Sequence, residues 1–256
     1  MNRREVIATL LSAATLPLMP ACAHDDTANS TPSGDSDALA LLNDVGESLT
    51  RLFPEVATQL GLDTGARSAL RSQLMDRSSG GRQHIADVVR ADLARVNAIE
   101  VAKLSHATRT SVEVVRSAYA TALDGLALPY GDTTVGSWRN TPYTVIQNVG
   151  AYLDIPRALD SDHRIENAAD AEAYVVRLQS YAKQLDGETG RMKDARALGL
   201  VPPAFLLDKA LGQIRLSAKN AREGGSLVES IERRTKTAEI DSPAVTSHGR
   251  LSTAGS

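Results

Sequence analysis

The chain has 256 residues, of which 42% are hydrophobic but only 4% aromatic, with 28 Lys and Arg set against 31 Asp and Glu. That is enough apolar material for a real core, in a composition that suits close-packed helices better than strands, and a net charge of −3 leaves no basic footprint for a nucleic acid. The single cysteine, Cys22, excludes an internal disulfide and a multi-thiolate zinc site.

Residues 1–21 read as an export signal. Arg3 and Arg4 form a twin arginine ahead of the uncharged, largely apolar run Val6–Leu18, which is short for a bilayer span and suits a signal-peptide core. The pair points to the twin-arginine route, with an ordinary basic start feeding the general secretory route as the alternative. Cys22 follows Leu18-Met-Pro-Ala21, a lipobox-like end in which Pro20 is atypical. Cys22 is therefore the expected lipidation site and membrane anchor; ordinary cleavage among the small residues around Ala21 and Ala23 is the other reading. Residues 22–37 hold nothing to bury and form the expected flexible tether.

A helical domain is expected over residues 38–240. Leu39, Leu42, Val45, Leu49 and Leu52 lie on one helical face, stopped by Pro54, and a short helix after it closes at Gly61. Helices follow over 66–75, 82–98 and 105–123, the last two paired antiparallel across a short link. From Gly125 to Pro156 the helical pattern lapses, with Thr133–Val135 and Tyr143–Gln147 as candidate extended pieces. Asn167 then caps the clearest helix, with Ala171, Tyr174, Val175, Leu178, Tyr181, Ala182 and Leu185 in one stripe. Further helices are expected over 188–198, from Pro202-Pro203 to Ala221 with Leu206, Leu207, Ala210, Leu211 and Ile214 facing the core, and over 227–240. Residues 241–256 read as a polar tail. The expected fold is all-α, an irregular antiparallel helical bundle with one turn-rich central segment.

Several stretches carry a family resemblance: Asn140-Thr-Pro-Tyr143, Gly150-Ala-Tyr-Leu-Asp-Ile-Pro156, His163, Asp170-Ala-Glu-Ala-Tyr-Val-Val-Arg-Leu178 and Gly199-Leu-Val-Pro-Pro-Ala-Phe-Leu-Leu-Asp208, supported by Pro54-Glu-Val-Ala-Thr-Gln-Leu-Gly-Leu-Asp63. They resemble the bacterial family known as domain of unknown function 885, whose exported members are often lipoproteins and look like largely helical zinc metallopeptidases. The resemblance implies the front half of such a protein. The later half of the family carries a His-Glu-x-x-His motif, in which two histidines one turn apart bind zinc and the glutamate activates water. Here His24, His84, His106, His163 and His248 include no pair within one helical turn, so zinc is expected only in full-length relatives and no cofactor in this chain.

Arg139, Tyr143 and Gln147 sit in the turn-rich centre, where loops on a helical scaffold commonly carry binding groups, and are the candidate contacts for a peptide ligand. The competing structural role makes Tyr143 a core aromatic and Arg139 a capping or solvated residue. His163, in Asp160-Ser-Asp-His163, is expected to be structural, since one histidine with flexible aspartates makes a weak metal site. No catalytic residue is assigned: there is no Gly-x-Ser-x-Gly elbow and no P-loop. Two functions fit these features, a non-catalytic front half of a peptidase-like protein and a lipid-anchored envelope binding protein without catalysis.

Overall fold

The computed structural model describes residues 34–135, 140–223 and 225–242. These residues form helices, with no strand among them. Helix α1 (Asp35–Leu52) is followed by α2 (Pro54–Gln59), a 3-10 helix (Gly65–Ser72), α3 (Ser79–Asn97), a short 3-10 turn (Val101–Lys103) and α4 (His106–Leu126). After the turn-rich segment come α5 (Ala151–Arg157), which continues as a π-type turn (Ala158–Asp162), then α6 (Ala168–Ala197), α7 (Ala204–Arg222) and α8 (Ser226–Thr237).

The local chemistry fixes most helix ends. Ser78, Ser105 and Asn167 each accept the N–H three residues on, from Gly81, Thr108 and Asp170, and so satisfy a donor that the first helical turn leaves free. Pro54 stands at the start of α2, where its missing N–H costs nothing.

Two reciprocal arginines show that α3 and α4 run antiparallel. Arg82, in the first turn of α3, donates to the carbonyls of Gly125, Leu126 and Leu128 at the end of α4. Arg116 of α4 donates to the carbonyls of Val96, Asn97 and Ile99 at the end of α3. Each guanidinium thus sits at the negative pole of the opposite helix and takes carbonyls that have no intrahelical donor. Between them Ile85, Val89, Val96, Val112, Tyr119 and Leu126 close on α1 through Ala38, Val45 and Leu52. Burial of each large aliphatic side chain here contributes about 1.5–3 kcal/mol.

A second core lies along α6. Ala171, Tyr174 and Val175 pack against Ala151, Ile155 and Leu159 of α5 and its π-type extension, and against Ile231 of α8. The stripe foreseen from the periodicity is therefore the packing face, except at Ala182, which is exposed.

Four expectations differ from the structure. The helix expected over 66–75 is a shorter 3-10 helix, whose late carbonyls are partly taken by a tertiary donor: Arg177 bonds to Leu70 and Gln73. The helix expected over 188–198 is the second half of α6, which runs unbroken through Gly187 and Gly190 for 30 residues, about 45 Å. In place of the extended pieces the described residues hold two isolated bridges, Asp132 with Thr141 and Ile146 with Val149, of which only Ile146 falls in an expected piece. Of the face expected to turn α7 inward only Ala210 is buried, while Leu211 and Ile214 are 44% and 36% exposed, because few elements pack on this helix.

Candidate functional site

Helix α6 buries polar side chains beside its apolar stripe. Asp170, Arg177, Gln184, Glu188 and Arg191 are all buried at spacings of seven, seven, four and three residues, which keeps them on one side of a helix. They reach the 3-10 helix, the Arg77–Ser78 backbone and the turn-rich segment.

Near the start of α6, Arg71 of the 3-10 helix bridges two buried carboxylates, Asp63 at 3.3 Å and Asp170 in close contact. Burial pushes the Asp63 carboxyl up, but hydrogen bonds from Arg71 and Thr58 outweigh it and hold the group below the ordinary carboxylate range. Two turns further in, Arg177 is 1% exposed. Its Nε donates to the Gln73 carbonyl at 2.8 Å, and its Nη2 to Thr58 Oγ1 at 2.7 Å and the Leu70 carbonyl at 3.0 Å. Its Nη1 lies 3.2 Å from His163 Nδ1.

His163 is fully buried, its ring edge-on to Tyr174 at 5.5 Å between centroids. Nε2 is 2.9 Å from the Asp170 carbonyl, an acceptor only, so Nε2 carries the proton and Nδ1 accepts from Arg177. Burial lowers its pKa to about 4, with the Arg177 and Arg234 cations adding to the shift. The imidazole is thus neutral and spent on both nitrogens. Among the described residues no three His, Cys, Asp or Glu side chains come together to hold a metal ion. The residues around His163 do not fit a zinc ion: the ring's acceptor nitrogen already faces a guanidinium, and a cation there would be repelled.

In the middle and at the end of α6 the same logic pins the turn-rich segment. Glu188 accepts the Ala151 N–H at 2.8 Å and Arg77 Nη1 at 3.0 Å. Burial raises its pKa despite the opposing Arg77 charge. Gln184 takes the Arg77 N–H at 3.0 Å, and here the helix lies close to the Arg77–Ser78 backbone: a Cβ on Gly187 would stand 2.9 Å from Ser78 N. Arg191 donates to the Gly131 carbonyl at 2.6 Å and Asp132 at 2.8 Å, and Arg82 to the same carbonyl at 2.9 Å. Tyr152 ties the Ile146 carbonyl at 3.0 Å. A cavity of about 280 Å³ opens beside this knot, lined by Tyr130, Gly131 and Thr144 of the segment with Ser79, Arg82 and Arg191.

Of the residues singled out from the sequence, Tyr143 and Gln147 fall in this pinned segment. Tyr143 is half-buried rather than core, its N–H held by Thr141 Oγ1 at 3.3 Å. Gln147 is also half-buried, and its Oε1 has no hydrogen-bond partner. Arg139, Cys22, Arg3 and Arg4 lie outside the described residues. The polar stripe of α6 escaped the sequence reading because an Arg or Glu on an amphipathic helix ordinarily faces water; the one available signal was that Arg177 and Gln184 sit seven apart beside the apolar stripe.

The family model for "Bacterial protein of unknown function (DUF885)" matches residues 54–252. The chain is also similar to a candidate lipoprotein from Colwellia psychrerythraea, known from its crystal structure, with a TM-score of 0.72 at 18% identity over 88% of this chain. The match takes in 38% of that longer protein, and at this identity the likeness is one of fold. No curated protein matches the chain. The all-α architecture, the buried core along Asp170–Leu178 and the extent of the family match lead to one assignment: the chain belongs to the bacterial family of unknown function DUF885.

Proposed function

We propose that this chain is a non-catalytic helical front portion of an exported, lipid-anchored protein resembling zinc-dependent peptidases, with its turn-rich segment as one wall of a peptide cleft. The observation that carries the reading is the pinning of that segment by Arg82, Glu188 and Arg191. Burying charged groups is costly unless each is paired and hydrogen-bonded, and here the buried Glu188 and Arg191, with the half-buried Arg82, are spent on holding this segment and the start of α5. Loops fixed in this way on a rigid scaffold are where binding groups are placed. Tyr143 and Gln147 then supply a half-buried aromatic ring and a half-buried amide beside an extended peptide, with Arg139 next to them in sequence as a cationic contact. Two further facts support the rest of the reading: the chain corresponds to 38% of the longer protein it matches in fold, and that protein is described as a candidate lipoprotein.

The test is metal analysis and peptide binding on the purified chain. It should retain no stoichiometric zinc after dialysis and show no chelator-sensitive hydrolysis of a mixed peptide pool, yet bind that pool. Tyr143→Ala and Gln147→Ala should each weaken binding about tenfold, the loss expected for one aromatic or hydrogen-bonding contact of about 1.4 kcal/mol. Their unfolding temperatures should stay close to that of the parent. Equimolar zinc with peptidase activity overturns the non-catalytic assignment; undiminished binding in both variants removes the cleft from this segment.

A further inference from the structure

Beside its packed side α7 presents an apolar stripe that is half-buried at Leu207 and exposed from Leu211 onward. At 100° per residue Leu207, Leu211, Ile214 and Ala218 fall within about 60° of one another, spaced four, three and four residues apart, the seam spacing of paired helices. Leu211 is 44% exposed and Ile214 36%. The stripe borders the side of α7 that touches the body, where Ala210 is buried and Gln213 accepts from the Tyr152 hydroxyl at 2.7 Å. Its other border is charged: Asp208 and Arg215 are exposed, stand two turns apart and have no ion-pair partner among the described residues.

We infer that a second copy of this chain covers the stripe, the two α7 helices packing antiparallel about a two-fold axis between Leu211 and Ile214. In that orientation the stripe is self-complementary. Turning one copy about the axis places Leu211 on the partner's Ile214, and Leu207 on the partner's Ala218, so the large side chain at one end meets the small one at the other. The same rotation brings Asp208 beside the partner's Arg215, and by symmetry Arg215 beside the partner's Asp208, giving two ion pairs on the solvent edge. A two-fold contact uses one patch twice and closes on itself, and opposite charges flanking an apolar seam fix its orientation. A parallel two-fold pairing would put Asp208 and Arg215 of the two copies on opposite edges of the seam and form neither ion pair.

Sedimentation equilibrium decides this on the full chain carrying Cys22→Ser, which removes any intermolecular disulfide. The parent should show a concentration-dependent monomer–dimer equilibrium. Ile214→Glu should be monomeric over the same range, with helicity unchanged by circular dichroism. Asp208→Arg and Arg215→Asp should each weaken the dimer about tenfold, since each replaces two attractive pairs with two repulsive ones, and the double swap should restore it. A monomeric parent overturns the inference and leaves the stripe to a different partner. A dimer that survives Ile214→Glu, or a double swap no tighter than the single ones, also overturns it. None of these readouts depends on peptide binding at the turn-rich segment, so the two readings fail separately.

Discussion

His163 and Arg177 make a pair that is rare in a protein interior: a neutral imidazole accepting from a buried guanidinium. The ring cannot take a second proton without placing a cation against Arg177 and Arg234 in a site shielded from water, which is why its pKa falls to about 4. In the unfolded chain the same group titrates near 6.5. Above that value both states are neutral and the residue adds no pH dependence. As pH falls from about 6.5 to about 4 the unfolded state binds a proton that the native state refuses, so stability drops, in total by about 3 kcal/mol. Denaturant titrations at pH 7, 5.5 and 4 should show this loss, and His163→Gln should flatten the slope across that window. Equal slopes in the two proteins would mean that other groups govern acid unfolding.

At the scale of the element, α6 separates two meanings of glycine in a helix. The separate helix expected over 188–198 would begin just after Gly187, a residue of low helix propensity. The helix continues because its cost is offset by contact: without a side chain there, the Arg77–Ser78 backbone can approach closely enough for Gln184, Glu188 and Arg191 to bond to Arg77. Gly190, three residues on, meets nothing within 4 Å. Opposite outcomes are expected for the same substitution. Gly190→Ala should stabilise the protein by about 0.5–1 kcal/mol through helix propensity alone. Gly187→Ala should destabilise it by about 1–3 kcal/mol, since a Cβ 2.9 Å from a backbone nitrogen forces one of the two elements to move. Thermal unfolding of both variants checks the pair, and a stabilised Gly187→Ala would show that the crossing is loose. The other elements were legible to unequal degrees for similar reasons. The Asn167 cap and the 171–178 stripe are local chemistry and could be read directly. Leu211 and Ile214 were read as core because periodicity reports that a face is apolar and is silent on what covers it. Arg77 and Arg191 could not be placed, their partners being 59 to 114 positions away in sequence.

For the whole molecule, the all-α class followed from composition and period, and the family from motifs on α2, α5, α6 and the start of α7, while the buried charge that organises the interior did not follow from either. The expected membrane anchor belongs to this scale too. None of the described helices is long and apolar enough to cross a membrane. The proposed lipid on Cys22 has its own test: Cys22→Ser should move the protein from the membrane to the soluble fraction, and unchanged fractionation would favour ordinary signal cleavage. Arg177 carries one more consequence, for the route by which the chain folds. Its acceptors at Pro54, Thr58, Leu70 and Gln73 lie 104 to 123 residues earlier in sequence, so the guanidinium can be buried without penalty only once both ends of that span have met. A state in which α6 has collapsed onto α5 while the 54–73 region is still loose would trap a charge without partners, and is high in energy for that reason. The two apolar cores, which could each condense from their own neighbours, are thereby tied to a single transition, and α6 and the 3-10 helix should exchange their amide protons through one shared opening rather than two.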